Sequence, residues 1–141
     1  MIVVIQCAGT KRRDAGYLRA KNGSKVLFVA RPQIAPPSAE CIHAHPDDPN
    51  EDGVSWRDQL ISYNTAPSNP LALSTAFELY EPPAAPDIYR RLVRRLGIKN
   101  VFILSAGWGL IEAGFRIPCY DVTFASEVKK SAPWKYRHTR L

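Results

Sequence analysis

The sequence predicts an α/β protein: a single three-layer domain with a mostly parallel central sheet and helices on both faces. Three observations predict it. The chain opens on an unbroken apolar run, Ile2-Val3-Val4-Ile5-Gln6-Cys7, and carries a second, Asn100-Val101-Phe102-Ile103-Leu104-Ser105, as expected of strands buried on both faces. Directly before the second run lies an amphipathic helical stretch closed by Gly97, and helix, glycine stop and buried strand together make half of a βαβ unit. With 141 residues, 45% of them hydrophobic, the chain is long enough for one core and too short for two.

The first run reads as a central parallel strand, broken by the glycine and basic residues of Ala8-Gly9-Thr10-Lys11-Arg12-Arg13. A further strand, Val26 to Ala30, follows Asn22-Gly23, close enough to the first for a hairpin-like or edge arrangement. Residues 31–53, with five prolines and five acidic residues, read as a long irregular loop. Ser55 is placed to cap a short helix over 56–64, with Trp56, Leu60 and Tyr63 on one face. Pro70 opens a helix over Leu71 to Tyr80, where Leu73, Phe77 and Tyr80 share a face, and Pro82-Pro83 stops it. Asp87 is a natural cap for the helix Ile88 to Leu96, whose buried stripe is Ile88, Leu92, Val93 and Leu96. After the second run, Ala106 to Ile111 turns sharply away, and Phe115 to Phe124 is mixed strand or loop around Pro118. The basic tail, about 129–141, has no periodicity and is expected to be poorly ordered. The chain ends without a last strand to close the sheet, as a truncated gene product would.

Composition excludes several classes. No apolar run approaches the roughly 18 residues of a membrane span. The N-terminus lacks the charged region and cleavage site of a signal peptide, so a soluble, cytoplasmic protein is expected. Three scattered cysteines signal neither a disulfide framework nor a zinc module. The net charge of +6 is unevenly spread. Residues 1–87 hold 8 Lys/Arg and 10 Asp/Glu, whereas residues 88–141 hold 11 and 3. Such asymmetry is either a solvated basic face or a surface that meets phosphate.

Ligands of parallel sheets bind beyond the carboxyl ends of the strands. Two glycine-containing turns end the apolar runs here, Cys7-Ala8-Gly9-Thr10-Lys11 and Ser105-Ala106-Gly107-Trp108-Gly109, and they face one another if the strands are neighbours. Their glycines would admit an anion to backbone N–H groups, and Lys11 either is a solvated loop lysine or adds charge there. Trp108 either stacks on a base or fills a tight turn. Neither a Walker A loop nor G-x-G-x-x-G is present, and no cofactor is expected. Cys7 is either a buried thiol or a nucleophile that needs a base. Ser105, without a G-x-S-x-G elbow, is a hydrogen-bonding residue first and a catalytic candidate second. Asp121, beside Tyr120 in a segment returning over the crevice, is either a general base or ribose contact, or a turn-capping aspartate. Cys41, His43 and His45 offer metal ligands at alternate positions, but no second cluster completes a site and no metal is assigned.

The opening segment through Lys11, together with Leu104-Ser105-Ala106-Gly107-Trp108-Gly109-Leu110-Ile111 and Pro118-Cys119-Tyr120-Asp121-Val122-Thr123-Phe124, resembles the YaaA-like peroxide-stress proteins. The resemblance covers around 30 residues, and the chain lacks a counterpart of that family's C-terminal helical region. It implies an α/β core, a link to DNA protection in oxidative stress, and functional roles for Lys11, Ser105, Gly107, Trp108, Gly109, Tyr120 and Asp121.

Two functions follow as expectations. The first is a stress-associated protein that binds a nucleotide or nucleic acid in the strand-end crevice, with action on a nucleoside or base left open. There Cys7, Gly9, Thr10, Lys11, Gly107, Trp108, Gly109 and Tyr120 bind the ligand, and Ser105 and Asp121 stand near the reacting atom. The second is a non-catalytic DNA- or RNA-binding protein that sets Arg90, Arg91, Arg94 and Arg95, with Lys129, Lys130, Lys135, Arg137 and Arg140, against phosphates.

Overall fold

The computed structural model describes residues 1–137. Its strands are β1 (Val3–Gln6), β2 (Leu18–Arg19), β3 (Lys25–Phe28), β4 (Cys41–Ala44), β5 (Ser74–Thr75), β6 (Val101–Ser105), β7 (Gly109–Glu112) and β8 (Arg116–Ile117). Its helices are α1 (Trp56–Thr65), α2 (Ala76–Leu79), α3 (Ile88–Leu96) and α4 (Val128–Ser131). Among the described residues the strands form three small sheets, ordered β1-β6-β7, β2-β3-β4 and β5-β8.

This mixed α/β arrangement corrects the expected three-layer domain built on one mostly parallel sheet. Only β1 with β6 and β3 with β4 are parallel; the other pairings are antiparallel. One cause is local. After β6 the chain reverses through Ala106-Gly107-Trp108 and returns as β7, with Ser105 opposite Gly109, instead of crossing over through a helix. Gly109 takes φ +80°, the left-handed position a short hairpin loop needs and other residues rarely adopt.

The second cause is tertiary. β1 lies at the edge of its sheet rather than at the centre, and Ile2 and Val4 are 68% and 58% exposed. An unbroken apolar run does not distinguish a strand covered on both faces from one covered on a single face. β3 joins its own sheet instead of pairing with β1, and its parallel partner β4 lies within the segment expected to be irregular.

α1 forms where expected, with the Asp58 N–H donating to the Ser55 hydroxyl (3.0 Å) and Trp56 and Leu60 buried. The helix expected over Leu71 to Tyr80 shrinks to the four residues of α2. Ser74 and Thr75 pair with β8 instead, and the Ala76 and Phe77 N–H groups donate to the carbonyls of Phe115 and Ala113. α3 matches its expected bounds and ends at Gly97, whose φ of +89° suits glycine. Asp87 makes no side-chain cap; its carboxylate pairs with Arg91 at 3.4 Å. The buried residue of α3 is Tyr89, while Ile88, Leu92, Val93 and Leu96 are half-buried.

Of the basic tail, residues up to 137 form α4 and a following turn held by main-chain bonds. The Thr123 N–H donates to the Lys135 carbonyl (2.9 Å), and the Arg137 N–H to the Thr123 carbonyl (2.9 Å). Residues 138–141, and Arg140 with them, lie outside the described residues. No helix among the described residues is long and apolar enough to cross a membrane.

The core joins the sheets through aromatic packing. Phe28, fully buried at the end of β3, meets Trp56 of α1 edge-on at 5.9 Å between ring centroids and Trp108 of the β6–β7 turn at 4.9 Å. Because the ring bridges three elements, the Phe28→Ala variant is expected to lose about 3–5 kcal/mol of stability. Chemical denaturation monitored by tryptophan fluorescence checks this; a loss below about 1 kcal/mol would contradict the packing described.

Candidate functional site

Parallel pairing of β1 and β6 brings together the turns that leave them. The Cys7 N–H donates to the Leu104 carbonyl (3.0 Å), and the Ala106 N–H to Cys7 Sγ (3.3 Å). The segment after β8 passes the ends of β3 and β6, with the Asp121 N–H donating to the Phe28 carbonyl (2.8 Å) and the Tyr120 hydroxyl meeting Ser105 (2.9 Å). Lys11 bridges to Tyr80 at the end of α2, which closes the arrangement from the other side.

Inside it is a sealed hydroxyl cluster. The Tyr80 and Tyr120 Oη atoms are 2.6 Å apart, and Ser105 Oγ lies 2.9 Å from Tyr120 Oη and 3.3 Å from Tyr80 Oη. Ser105 Oγ also accepts the Trp108 N–H at 3.1 Å. Burial raises the Tyr80 and Tyr120 pKa values well above the ordinary phenol range, so both stay protonated at neutral pH. Tyr89, whose hydroxyl donates to the Gln6 carbonyl at 2.6 Å, is pushed up to about 12, again chiefly by burial. Fully buried and already engaged three times, the Ser105 hydroxyl positions Tyr120 and the turn rather than facing a substrate.

The glycine turn is explained by Tyr120. A Cβ on Gly107 would lie 2.8 Å from the Tyr120 ring, so a side chain there displaces the tyrosine. Trp108 is 5% exposed and packs edge-on to both Phe28 and Tyr120, which makes it a core residue and not a stacking face. Gly109 serves the hairpin.

Lys11 stands over the cluster with Nζ 4.3 Å from the Tyr120 ring centroid, and it donates to the Gly9 carbonyl at 3.3 Å. Burial lowers its pKa, an effect opposed first by Asp121. Asp121 is 38% exposed and pairs with Lys135 at 2.8 Å. Gly9 and Thr10 are exposed, and Cys7 and Gly9 line a depression of about 260 Å³ against Thr123 and Phe124. Lys11, Ser105, Gly107, Trp108, Tyr120 and Asp121 are therefore brought together, with Ser105 and Trp108 below the surface and Lys11 and Asp121 at it.

A larger crevice, about 340 Å³, shares Val122 of the crossing segment with that depression. It gathers the carboxyl ends of β3 (Ala30, Arg31), β4 (His45, Asp47) and β6 (Ala106, Gly107), with Arg57 from α1 and Arg137 from the C-terminal turn. Arg57 Nε donates to Asp47 Oδ1 (2.7 Å) and its Nη1 to the Trp108 carbonyl (2.9 Å), while Arg137 Nη1 donates to the Ala106 carbonyl (2.8 Å). Arg31 and Arg57 escape sequence reasoning because each sits alone in its own segment; Arg137 is read only as one of the tail's basic residues, and the parallel β3–β4 pairing that helps assemble the three is invisible locally. A depression of similar size between β2 and α1 holds Lys21, but that amine pairs with Asp52 of the same lining.

The remaining candidates lie apart. On α3, Arg90 approaches Glu81 (3.9 Å) and Arg91 approaches Asp87, while Arg94 and Arg95 are exposed. Cys41, His43 and His45 occupy β4 and its end, and the described residues include no group of three His, Cys, Asp or Glu side chains placed to hold a metal ion. No family model, curated protein or solved structure matches the chain.

Two outcomes follow from the buried cluster. Gly107→Ala is expected to cost about 1–3 kcal/mol through overpacking against Tyr120, measured by thermal or chemical denaturation. Tyr80, Tyr89 and Tyr120 all have folded-state pKa values above the unfolded value of 10.0, so the stability they confer is complete below that pH. It is lost as pH rises, from about 10 and through about 12 for Tyr89. Lys11, held low, acts in the opposite sense, so denaturation from pH 8 to 11 should be compared between wild type and Tyr80→Phe. The variant should show the shallower decline, and equal slopes would contradict the assignment.

Proposed function

We propose that this chain is a YaaA-like, stress-associated protein that binds a nucleotide at the carboxyl ends of its parallel strands. The observation that carries the reading is the convergence of the resembling segments on one residue. Tyr120 receives Lys11 over its ring, Gly107 against its edge and Ser105 on its hydroxyl, although these residues are spread from position 11 to position 120. The residues lie at the carboxyl ends of parallel strands, where ligands of such strands bind, with Lys11 over Tyr120 and the arginine-lined crevice reaching Val122 of the same crossing segment. Of the two residues first considered for chemistry, Asp121 is the one at the surface and beside Lys11, which favours it for contact with a sugar or base.

Exposure of Arg94 and Arg95 favours a second reading, a nucleic-acid backbone binder that uses α3. A thermal-shift screen against nucleosides, mononucleotides and short single- and double-stranded DNA, at low and high salt, separates the two. Under the proposed function a mononucleotide stabilises the protein in high salt as well as low, and Lys11→Met weakens the effect while Arg94→Glu leaves it unchanged. Stabilisation by DNA alone, confined to low salt and abolished by Arg94→Glu, would establish the second reading and overturn the first.

A further inference from the structure

We infer that the outer face of the sheet β1-β6-β7 is a dimerisation surface, covered across a twofold axis by a second copy of this chain. The inference is independent of the nucleotide-binding reading, since none of the face's residues is among those that the proposed function uses.

Register places the residues. Val4 pairs with Phe102 and Gln6 with Leu104, while on the other side of β6 Phe102 pairs with Glu112 and Leu104 with Leu110. Paired residues project from the same face of a sheet and successive residues of a strand from opposite faces. Val4, Phe102, Leu104 and Leu110 therefore share one face, and Ile2 continues it at the start of the chain. The alternate set faces the other way: Val101 and Ile103 are fully buried, and Ile5 and Ile111 pack against the core. Both faces of the sheet are apolar, and this chain covers one of them.

Exposure singles out the other. Apart from the terminal Met1, the three most exposed large apolar side chains among the described residues are Ile2, Leu110 (60%) and Val4, all on this face. Exposed apolar residues elsewhere, such as Ile61 of α1, are more covered and lie on other elements. A scattered apolar side chain at a surface needs no partner, whereas a contiguous patch marks a contact.

Charge and area point to a second copy. The chain carries a net charge of +6, so most approaches of one copy to another oppose like charges. This face bears no Lys or Arg, and Glu112 at its corner is paired with Lys99 at 3.8 Å, so two copies meet here without that repulsion. An acidic or basic partner, by the same token, finds no unpaired charge to recognise. With Met1 and the half-buried Phe102 and Leu104, the patch exposes on the order of 500 Å² of apolar surface, at roughly 100 Å² for a large side chain. Two copies then bury about 1,000 Å², the lower limit for a specific interface, which makes the dimer a weak one with a dissociation constant in the micromolar range. Two such faces stack about 10 Å apart with their strands within about 30° of one another, and a twofold sets the same residues opposite one another from both copies.

The test is sedimentation velocity of the full chain from about 1 to about 300 µM, at about 0.15 M and about 0.5 M salt. The sedimentation coefficient should rise with concentration from that of a monomer to that of a dimer, and the rise should persist at the higher salt, because apolar burial is not screened. Leu110→Lys should raise the dimer dissociation constant about tenfold or more, since the twofold carries two new charges into the contact, and should leave the thermal midpoint of the dilute protein unchanged. Ile61→Lys, at an exposed apolar position outside the face, should leave the dissociation constant unchanged. Val4→Thr keeps the branched shape that suits a strand and serves as the second variant should Leu110→Lys not fold; weaker dimerisation is expected there too. A wild-type protein that stays monomeric at the highest concentration would overturn the inference and leave the face to a different partner. A dimer that Leu110→Lys leaves intact would overturn it as well, because that dimer uses another surface, such as the open edge of β1. Assembly beyond the dimer would overturn the closed twofold contact.

Discussion

The hydrogen bond between the Tyr80 and Tyr120 hydroxyls, closed into a triangle by Ser105, is the contact on which the arrangement of the strand ends depends. Each member comes from a different part of the chain: the end of α2, the segment crossing the strand ends, and the last residue of β6. A phenol or alcohol buried without a partner costs one to several kcal/mol, so none of the three can leave the triangle cheaply. The triangle in turn fixes the ring of Tyr120, and the ring dictates a glycine at position 107 and gives Lys11 a face to sit on. A polar network of this kind is valuable because it is fully satisfied; with one member removed, the others become liabilities.

Around the neutral, sealed centre the charges are held at the rim. Arg57 and Arg137 are tied to the carbonyls of the β6–β7 turn, so the same turn that packs Trp108 into the core and Gly107 against Tyr120 also carries the guanidiniums. Packing and electrostatics are thereby coupled.

Much of the local structure was legible in the residues. Ser55 before Trp56, with Leu60 one turn on, is a capped amphipathic helix by spacing alone, and the run from Ile88 closed by Gly97 is another. The grouping of Lys11, Ser105, Gly107, Tyr120 and Asp121 was legible as well, because the order and spacing of two motifs pointed to one place. Illegible were the roles inside that group. In sequence Ser105 reads as a hydrogen-bonding residue before a catalytic one and Trp108 as either a stacking face or a turn filler; both lie below the surface, since exposure is set by which segments pack over a turn and not by the turn's own residues.

The sequence by itself determined the capped helices, the strand at Val101–Ser105 and the glycines that let the chain reverse after it, because caps, periodicity and backbone freedom act within a few residues. Tertiary structure alone decided that β1 is an edge strand, that β4 arises from a proline-rich acidic segment to pair with β3, and that Arg31, Arg57 and Arg137, far apart in the chain, share one crevice. Strand pairing is a choice between distant segments, made by whichever arrangement buries the most apolar surface and satisfies the most backbone groups. Isolated apolar runs carry little of that information. The arginine crevice follows from the choice, since it exists only where the ends of β3, β4 and β6 have been brought side by side.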